Sequence, residues 1–135
     1  MVAPAREART LAGERLAAAD ADITVRMISI GQPHRAVPLT GAMCLAVASR
    51  IQGTVVNRIA RPSASPTDPV RIAQPSGLTV VGAVVRRSRD GEHCEWLAES
   101  ATVYRTARRL MEGWVYVRAS MVPENLRRTL AAIQK

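Results

Sequence analysis

Thr40-Gly41-Ala42 is the stretch with the clearest capacity for chemistry. It follows Pro38 and opens a long apolar run, with His34 and Arg35 just upstream. A helix N-terminus leaves backbone N–H groups without intrahelical partners, and its dipole favours an anion there. Thr40 reads as the N-cap. The Thr40 hydroxyl with the amides of Gly41 and Ala42 can hold a carboxylate, since neither residue has a side chain that blocks approach. The competing account is an ordinary cap after a strand. Pro75-Ser76-Gly77 is a second candidate, a tight turn offering a hydroxyl and open amides. The competing account there is a plain hairpin turn. His34 can donate a hydrogen bond or exchange a proton, or it can be a histidine satisfied in its loop. Cys44 and Cys94 form no CxxC and no metal-type spacing. Cys44 reads as a small core residue, and the adjacent pair His93-Cys94 points two ways from one turn. Tyr104, Tyr116, Trp96 and Trp114 read as packing residues. Arg86-Arg87 and Arg108-Arg109 read as solvated charge.

Several elements must position these groups. Residues 40–51 read as a helix with no polar side chain between Ala42 and Ala48, and a helix apolar all round is buried all round. Gly53 supplies its stop. Residues 5–19, rich in Ala, Arg and Glu, read as another helix. The alternating run 22–30 reads as a strand, followed by a loop broken by Gly31, Pro33 and Pro38. Strands are also expected over 54–59, 70–73, 78–87, 94–99, 101–105 and 114–118. The prolines of 61–69 forbid regular structure there, and Arg89-Asp90-Gly91 reads as a hairpin turn. Pro123 starts a short terminal helix. The pattern predicts a single α+β domain over 1–135: a helical lead-in at 1–20, a core at 22–118 and a terminal helix at 123–134. Its centre is a curved, mainly antiparallel sheet around one buried helix.

Composition narrows the function. The chain has 135 residues, 47% of them hydrophobic but only 3% aromatic, with no Phe. That is globular composition, and the core must rest on small aliphatic side chains. The net charge of +8 comes almost wholly from arginine, since Lys135 is the one lysine. The arginines are scattered and stacking aromatics are few, which argues against nucleic acid. A basic chain suits an anionic small molecule. No apolar signal segment and no run of membrane-spanning length occurs, so a cytoplasmic location without membrane contact is expected.

Residues 26–42, running through Ile30-Gly31-Gln32-Pro33-His34-Arg35 into Thr40-Gly41-Ala42, resemble the signature of the PrpF family. Ile51-Gln52-Gly53-Thr54 is similar to the family's Ile-Pro-Gly-Thr at the end of the central helix. Gln74-Pro75-Ser76-Gly77 resembles its His-Pro-Ser-Gly, with Gln74 in place of a titratable His. Residues 104–117 resemble its closing strand. The resemblance implies a diaminopimelate-epimerase-like fold and identifies the chain as the C-terminal half of a two-domain enzyme. In such enzymes the active site lies in a cleft where two helix N-termini converge.

That resemblance also implies a chemistry: cis-trans isomerisation or tautomerisation of small unsaturated tricarboxylates such as methylaconitate or oxalomesaconate. The reaction would be allylic proton transfer without cofactor or metal. The catalytic cysteine and lysine are expected on the other half, so no catalytic residue is assigned here. The substrate-binding candidates are His34, Thr40, Gly41, Ala42, Ser76 and Gly77. The partners expected are an anionic carboxylate substrate, and a separate N-terminal half or a homodimer mate. The alternative is an inactive interaction module that self-associates through the orphaned cleft face.

Overall fold

The structure, a computed structural model, describes residues 1–90 and 93–127, and only the backbone of 89, 90, 93 and 94. The chain divides into two compact units, Met1–Arg105 and Thr106–Lys135.

The first unit is α+β. Its strands are β1 (Val2–Pro4), β2 (Ala8–Arg9), β3 (Arg15–Leu16), β4 (Ile23–Val25), β5 (Ile28–Ser29), β6 (Gln32–Pro33), β7 (Val70–Gln74), β8 (Gly77–Asp90) and β9 (His93–Val103). Two helices, α1 (Leu39–Arg50) and α2 (Val55–Ile59), lie between β6 and β7. The main sheet has the order β1-β4-β7-β8-β9. All its pairings are antiparallel except β4 with β7, where Ile23 faces Ile72. A parallel pair needs a long crossover, usually helical, and α1 supplies it.

Alternation along the strands sends Ile23, Val25, Val70, Ile72, Val81 and Ala83 into one core with Ala42 and Ala46 of α1. Ile23, Ile72, Val81, Ala42 and Ala46 are each fully buried. The sheet therefore gathers around α1 as expected. Its contact with α1 is a stripe, however, and the helix is not covered on every side. Thr40 and Cys44 are exposed and Leu39 is 42% exposed. One sheet covers one face of a helix, so Cys44, on another face, is a surface thiol rather than a core residue.

Four local expectations are corrected. Residues 5–19 are not a helix. They form the β2–β3 hairpin, with Gly13 at φ 87° and the Thr10 hydroxyl accepting the Glu14 N–H. The Leu11 N–H reaches the Pro75 carbonyl at 2.7 Å. Asp20 likewise accepts the Ala17 N–H. Local side-chain bonds and a tertiary contact thus outweigh the helix propensity of Ala, Arg and Glu. The expected 22–30 strand splits into β4 and β5, and β5 turns back on β6 through Ile30 (φ 49°) and Gly31 (φ 73°). Two consecutive positive φ values are what a tight hairpin demands.

Residues 54–59 are helical rather than extended. The Thr54 hydroxyl caps α2 by accepting the Asn57 N–H, and Asn57 donates to the Ser49 carbonyl at the end of α1. Finally, residues 104–118 carry no regular structure. Among the described residues nothing pairs with 114–118, so Trp114 is 94% and Tyr116 97% exposed.

Other expectations fall closer. The 78–87 strand extends to Gly77–Asp90, with a register irregularity between Val84 and Val85, and the two strands expected over 94–99 and 101–105 merge into the single strand β9, which ends at Val103. Its expected turn centre, Gly91, lies outside the described residues. Arg87 stacks over Trp96, its direct cross-strand partner, and Arg86 pairs with Glu99. Residues 124–127 begin a helix after Pro123, and the remainder of the expected 123–134 helix lies outside the described residues.

Candidate functional site

The helix that should receive an anion begins one residue earlier than the sequence suggested. Pro38 occupies the cap position, with no side chain to offer, and Thr40 is the second helical residue. The first helical bond runs from the Ala42 N–H to the Pro38 carbonyl at 2.9 Å. Ala42 is thereby spent, and it is fully buried besides. Its proposed contact with a carboxylate is corrected on both counts. The open amides of the first turn are those of Leu39, Thr40 and Gly41. Gly41 has a second reason to be glycine. A Cβ there would lie 2.7 Å from the Met27 methyl carbon, so Met27 occupies the space above it.

Two hydrogen bonds hold this helix start against the β7–β8 turn. The Gln74 side-chain oxygen accepts the Val37 N–H, and its amide donates to the Thr79 hydroxyl at 2.7 Å. Ser76 donates its hydroxyl proton to the Arg35 carbonyl. The turn and the helix start are thus neighbours, as a shared carboxylate site requires. A neutral imidazole also has one acceptor and one donor nitrogen. Gln74 fills both roles that a histidine at that position would fill, without the titration.

A cavity of about 440 Å³ opens beside these bonds, lined by Ala36, Val37, Leu39, Gln74, Ser76, Leu78, Thr79, Val80, Val103, Tyr104 and Arg105. Its size suits a small ligand. Among the described residues its lining contains one cation and no acid. Of the six residues singled out in the sequence, only Ser76 lines it. Gly77 follows in the same turn, with φ 129°, a conformation that favours glycine. Thr40 and Gly41 sit in the first turn of α1, next to Leu39. His34 is exposed, and its backbone N–H bonds the Met27 carbonyl. It does not line the cavity. Gln74, Thr79, Tyr104 and Arg105 were missed as site residues. Tyr104 and Arg105 follow β9, and only the register that sets Val103 against Val81 reveals what they approach.

A larger cavity, about 760 Å³, lies at the other end of α1, between Arg50, Asn57 and the 61–69 loop. Its arginines are already committed. Arg50 donates to the Ser65 and Asp68 carbonyls, Arg61 to Ala18 and Ala19, and Arg71 to Asp22 and Ala19. Asp22 and Asp68 offset their charge. Size notwithstanding, the charges of this cavity are spent on joining elements, whereas Arg105 in the smaller cavity has no acid beside it among the described residues. Among the described residues no group of three or more His, Cys, Asp or Glu could hold a metal ion, and no helix is long and apolar enough to cross a membrane.

A mainly antiparallel sheet gathered around one helix is the architecture of the diaminopimelate-epimerase-like proteins. The chain matches the family described as PrpF protein over residues 1–118, and it belongs to that family. It is 42% identical over 105 residues to a 2-methyl-aconitate isomerase of Cupriavidus necator, covering 78% of this chain and 25% of the relative. It is 38% identical over 116 residues to a 2-methyl-aconitate isomerase of Shewanella oneidensis, covering 86% and 28%. A 3-methylitaconate isomerase of Eubacterium barkeri is 36% identical over 105 residues, covering 78% and 25%. Among solved structures, methylitaconate-delta-isomerase superposes with a TM-score of 0.62 at 29% identity, covering 89% of this chain and 29% of that one. The chain thus spans about a quarter of the length of these relatives.

Proposed function

We propose that this chain supplies the substrate-binding portion of a cofactor-independent cis-trans isomerase or tautomerase. Its substrates are small unsaturated tricarboxylates of the methylaconitate or oxalomesaconate type. The observation that carries the proposal is the juxtaposition of the open first turn of α1 with the Pro75-Ser76-Gly77 turn beside an acid-free cavity. The isomerase names of the relatives supply the reaction class.

The chemistry fits that geometry. Removing an allylic proton beside a conjugated carboxylate spreads negative charge onto oxygen. Preorganised N–H donors at Leu39, Thr40 and Gly41 would stabilise that charge without reorganising. The Thr40 hydroxyl would orient a remaining carboxylate oxygen, while the Ser76 hydroxyl, spent on the Arg35 carbonyl, holds the turn in place. Proton transfer itself needs a base within hydrogen-bond reach. Gln74, which stands where the family motif carries a histidine, does not titrate and cannot serve as that base. The acid–base pair is accordingly assigned to the portion of the relatives that the matched stretch does not cover.

Co-expression with that complementary portion of a PrpF-type protein, followed by a turnover assay on methylaconitate and oxalomesaconate, tests the proposal. Turnover by the co-purified pair and none by this chain alone is the expected result. Robust turnover by the chain alone, or a folded pair that turns over neither acid, contradicts it.

A further inference from the structure

We propose that Arg105 is the side chain that holds a substrate carboxylate in the cavity beside α1, serving as the specificity-determining cation of this site. The inference rests on the functional reading above and adds to it a residue that neither the helix start nor the Pro75-Ser76-Gly77 turn identifies.

Topology brings Arg105 there. In the β8–β9 ladder Val103 faces Val81, so the chain leaving β9 runs back past Val80 and Thr79. Those two residues and Tyr104-Arg105 all line the same cavity. Thr79 is fixed by the Gln74 amide at 2.7 Å, and Gln74 in turn grips the loop that enters α1. Arg105 thus joins a lining whose polar members Gln74, Ser76 and Thr79 are held in place by hydrogen bonds.

Its charge is uncommitted. Arg15, Arg71, Arg86 and Arg109 form ion pairs, Arg50 and Arg61 are bound to carbonyls, and Arg87 lies over Trp96. Arg105 makes no hydrogen bond or ion pair with any described residue. Among the described residues no Asp or Glu lines the cavity to neutralise it. A guanidinium presents a planar fork of donors that matches a carboxylate bidentately. Backbone amides at a helix start hold one carboxylate by partial charges. A full charge across the cavity holds a second, and so selects a polycarboxylate over a monocarboxylate.

The test is an NMR titration of the 135-residue chain with cis-aconitate, a stable tricarboxylate, repeated for Arg105→Gln, Arg105→Lys and Arg58→Gln. Arg58 is exposed on α2 and lies outside the cavity lining. Arg105→Gln should weaken cis-aconitate binding about tenfold, the lower range for a charge-assisted bond at an exposed site. It should leave binding of the monocarboxylate crotonate unchanged and flatten the salt dependence. Arg105→Lys should recover part of the loss, and Arg58→Gln should match wild type. Preserved amide dispersion in each spectrum shows that the variant is folded. Equal cis-aconitate affinity and salt dependence for wild type and a folded Arg105→Gln overturns the role of Arg105 while leaving the functional reading intact. Failure of the wild-type chain to bind at millimolar concentrations overturns both.

Discussion

At the scale of single residues, Gln74 links the loop that enters α1 to β8. It accepts from Val37 on one side and donates to Thr79 on the other, so it uses both ends of one amide. Gln74→His should preserve both bonds while the imidazole is neutral. A protonated imidazole has only donors, and one of them would then face the Val37 N–H. The histidine pKa in the folded variant would therefore fall below its free value near 6.5. A depressed pKa for a base means stability that is present at high pH and declines as pH falls below the unfolded value. Thermal unfolding of Gln74→His should match wild type at pH 8 and fall several degrees below it at pH 5. A variant equally stable at both values would show that Gln74 does not hold the α1 entry loop. The sequence gives Gln74 a hydrogen-bonding role without titration in place of His, but names neither of its partners. The partner at Val37 lies 37 residues away, and nothing in local spacing announces it.

At the scale of elements, the decisive joint is Asp22 against Arg71, which pins the start of β4 to β7 beside the single parallel pairing of the sheet. The Arg71 guanidinium lies 2.7 Å from the Asp22 carboxylate, and the Arg71 backbone N–H donates to the same group at 2.8 Å. Burial alone would raise the carboxyl's pKa. The Arg71 hydrogen bonds and charge, with the Arg61 charge, outweigh it and hold the carboxyl below its ordinary range. A carboxyl with a depressed folded pKa contributes stability that is fully present above its unfolded value near 4 and is lost as pH falls through the folded one. Asp22→Asn should cost about 1–2 kcal/mol at pH 7, allowing for the partial exposure of Arg71. That difference should shrink steadily below about pH 4. A gap that stays constant down to pH 2 would show that the ion pair contributes nothing.

Elements also show how much the sequence disclosed. The turn at 74–77, the α1 helix and most of β7, β8 and β9 were legible, because apolar alternation, Pro and Gly are local signals. The β2–β3 hairpin was not, since Ala, Arg and Glu favour a helix until the Leu11–Pro75 bond and the Thr10 hydroxyl prevail. Nor was α2. Its Thr-Val-Val start reads as a strand, and only the cap at Thr54 and the Asn57 tie to α1 make it helical. The one-sided burial of α1 escaped for a different reason: an all-apolar helix reports what could be covered, not what this chain covers. Of the site, the helix start and Ser76 were legible from motif and turn chemistry. Tyr104 and Arg105 depend on sheet register, which no short window contains.

At the scale of the whole molecule, the chain is a folded sheet-and-helix unit followed by residues whose large apolar side chains face solvent. Leu110, Met111, Trp114, Val115 and Tyr116 are all at least 79% exposed. A strand-like sequence without a neighbouring strand has no partner for its N–H and C=O groups, which accounts for the missing strand at 114–118. The chain spans about a quarter of the length of its relatives. Binding, unlike turnover, should survive in the portion present. The most direct test is to follow backbone amide shifts of the 135-residue chain as cis-aconitate is added. The largest changes should fall on Leu39, Thr40, Gly41 and Ser76, with the buried Ala42 and the distant Asn57 and Ser65 nearly still. Saturable changes centred on the 61–69 loop, or none at the first turn of α1, would contradict a carboxylate receptor at that helix start.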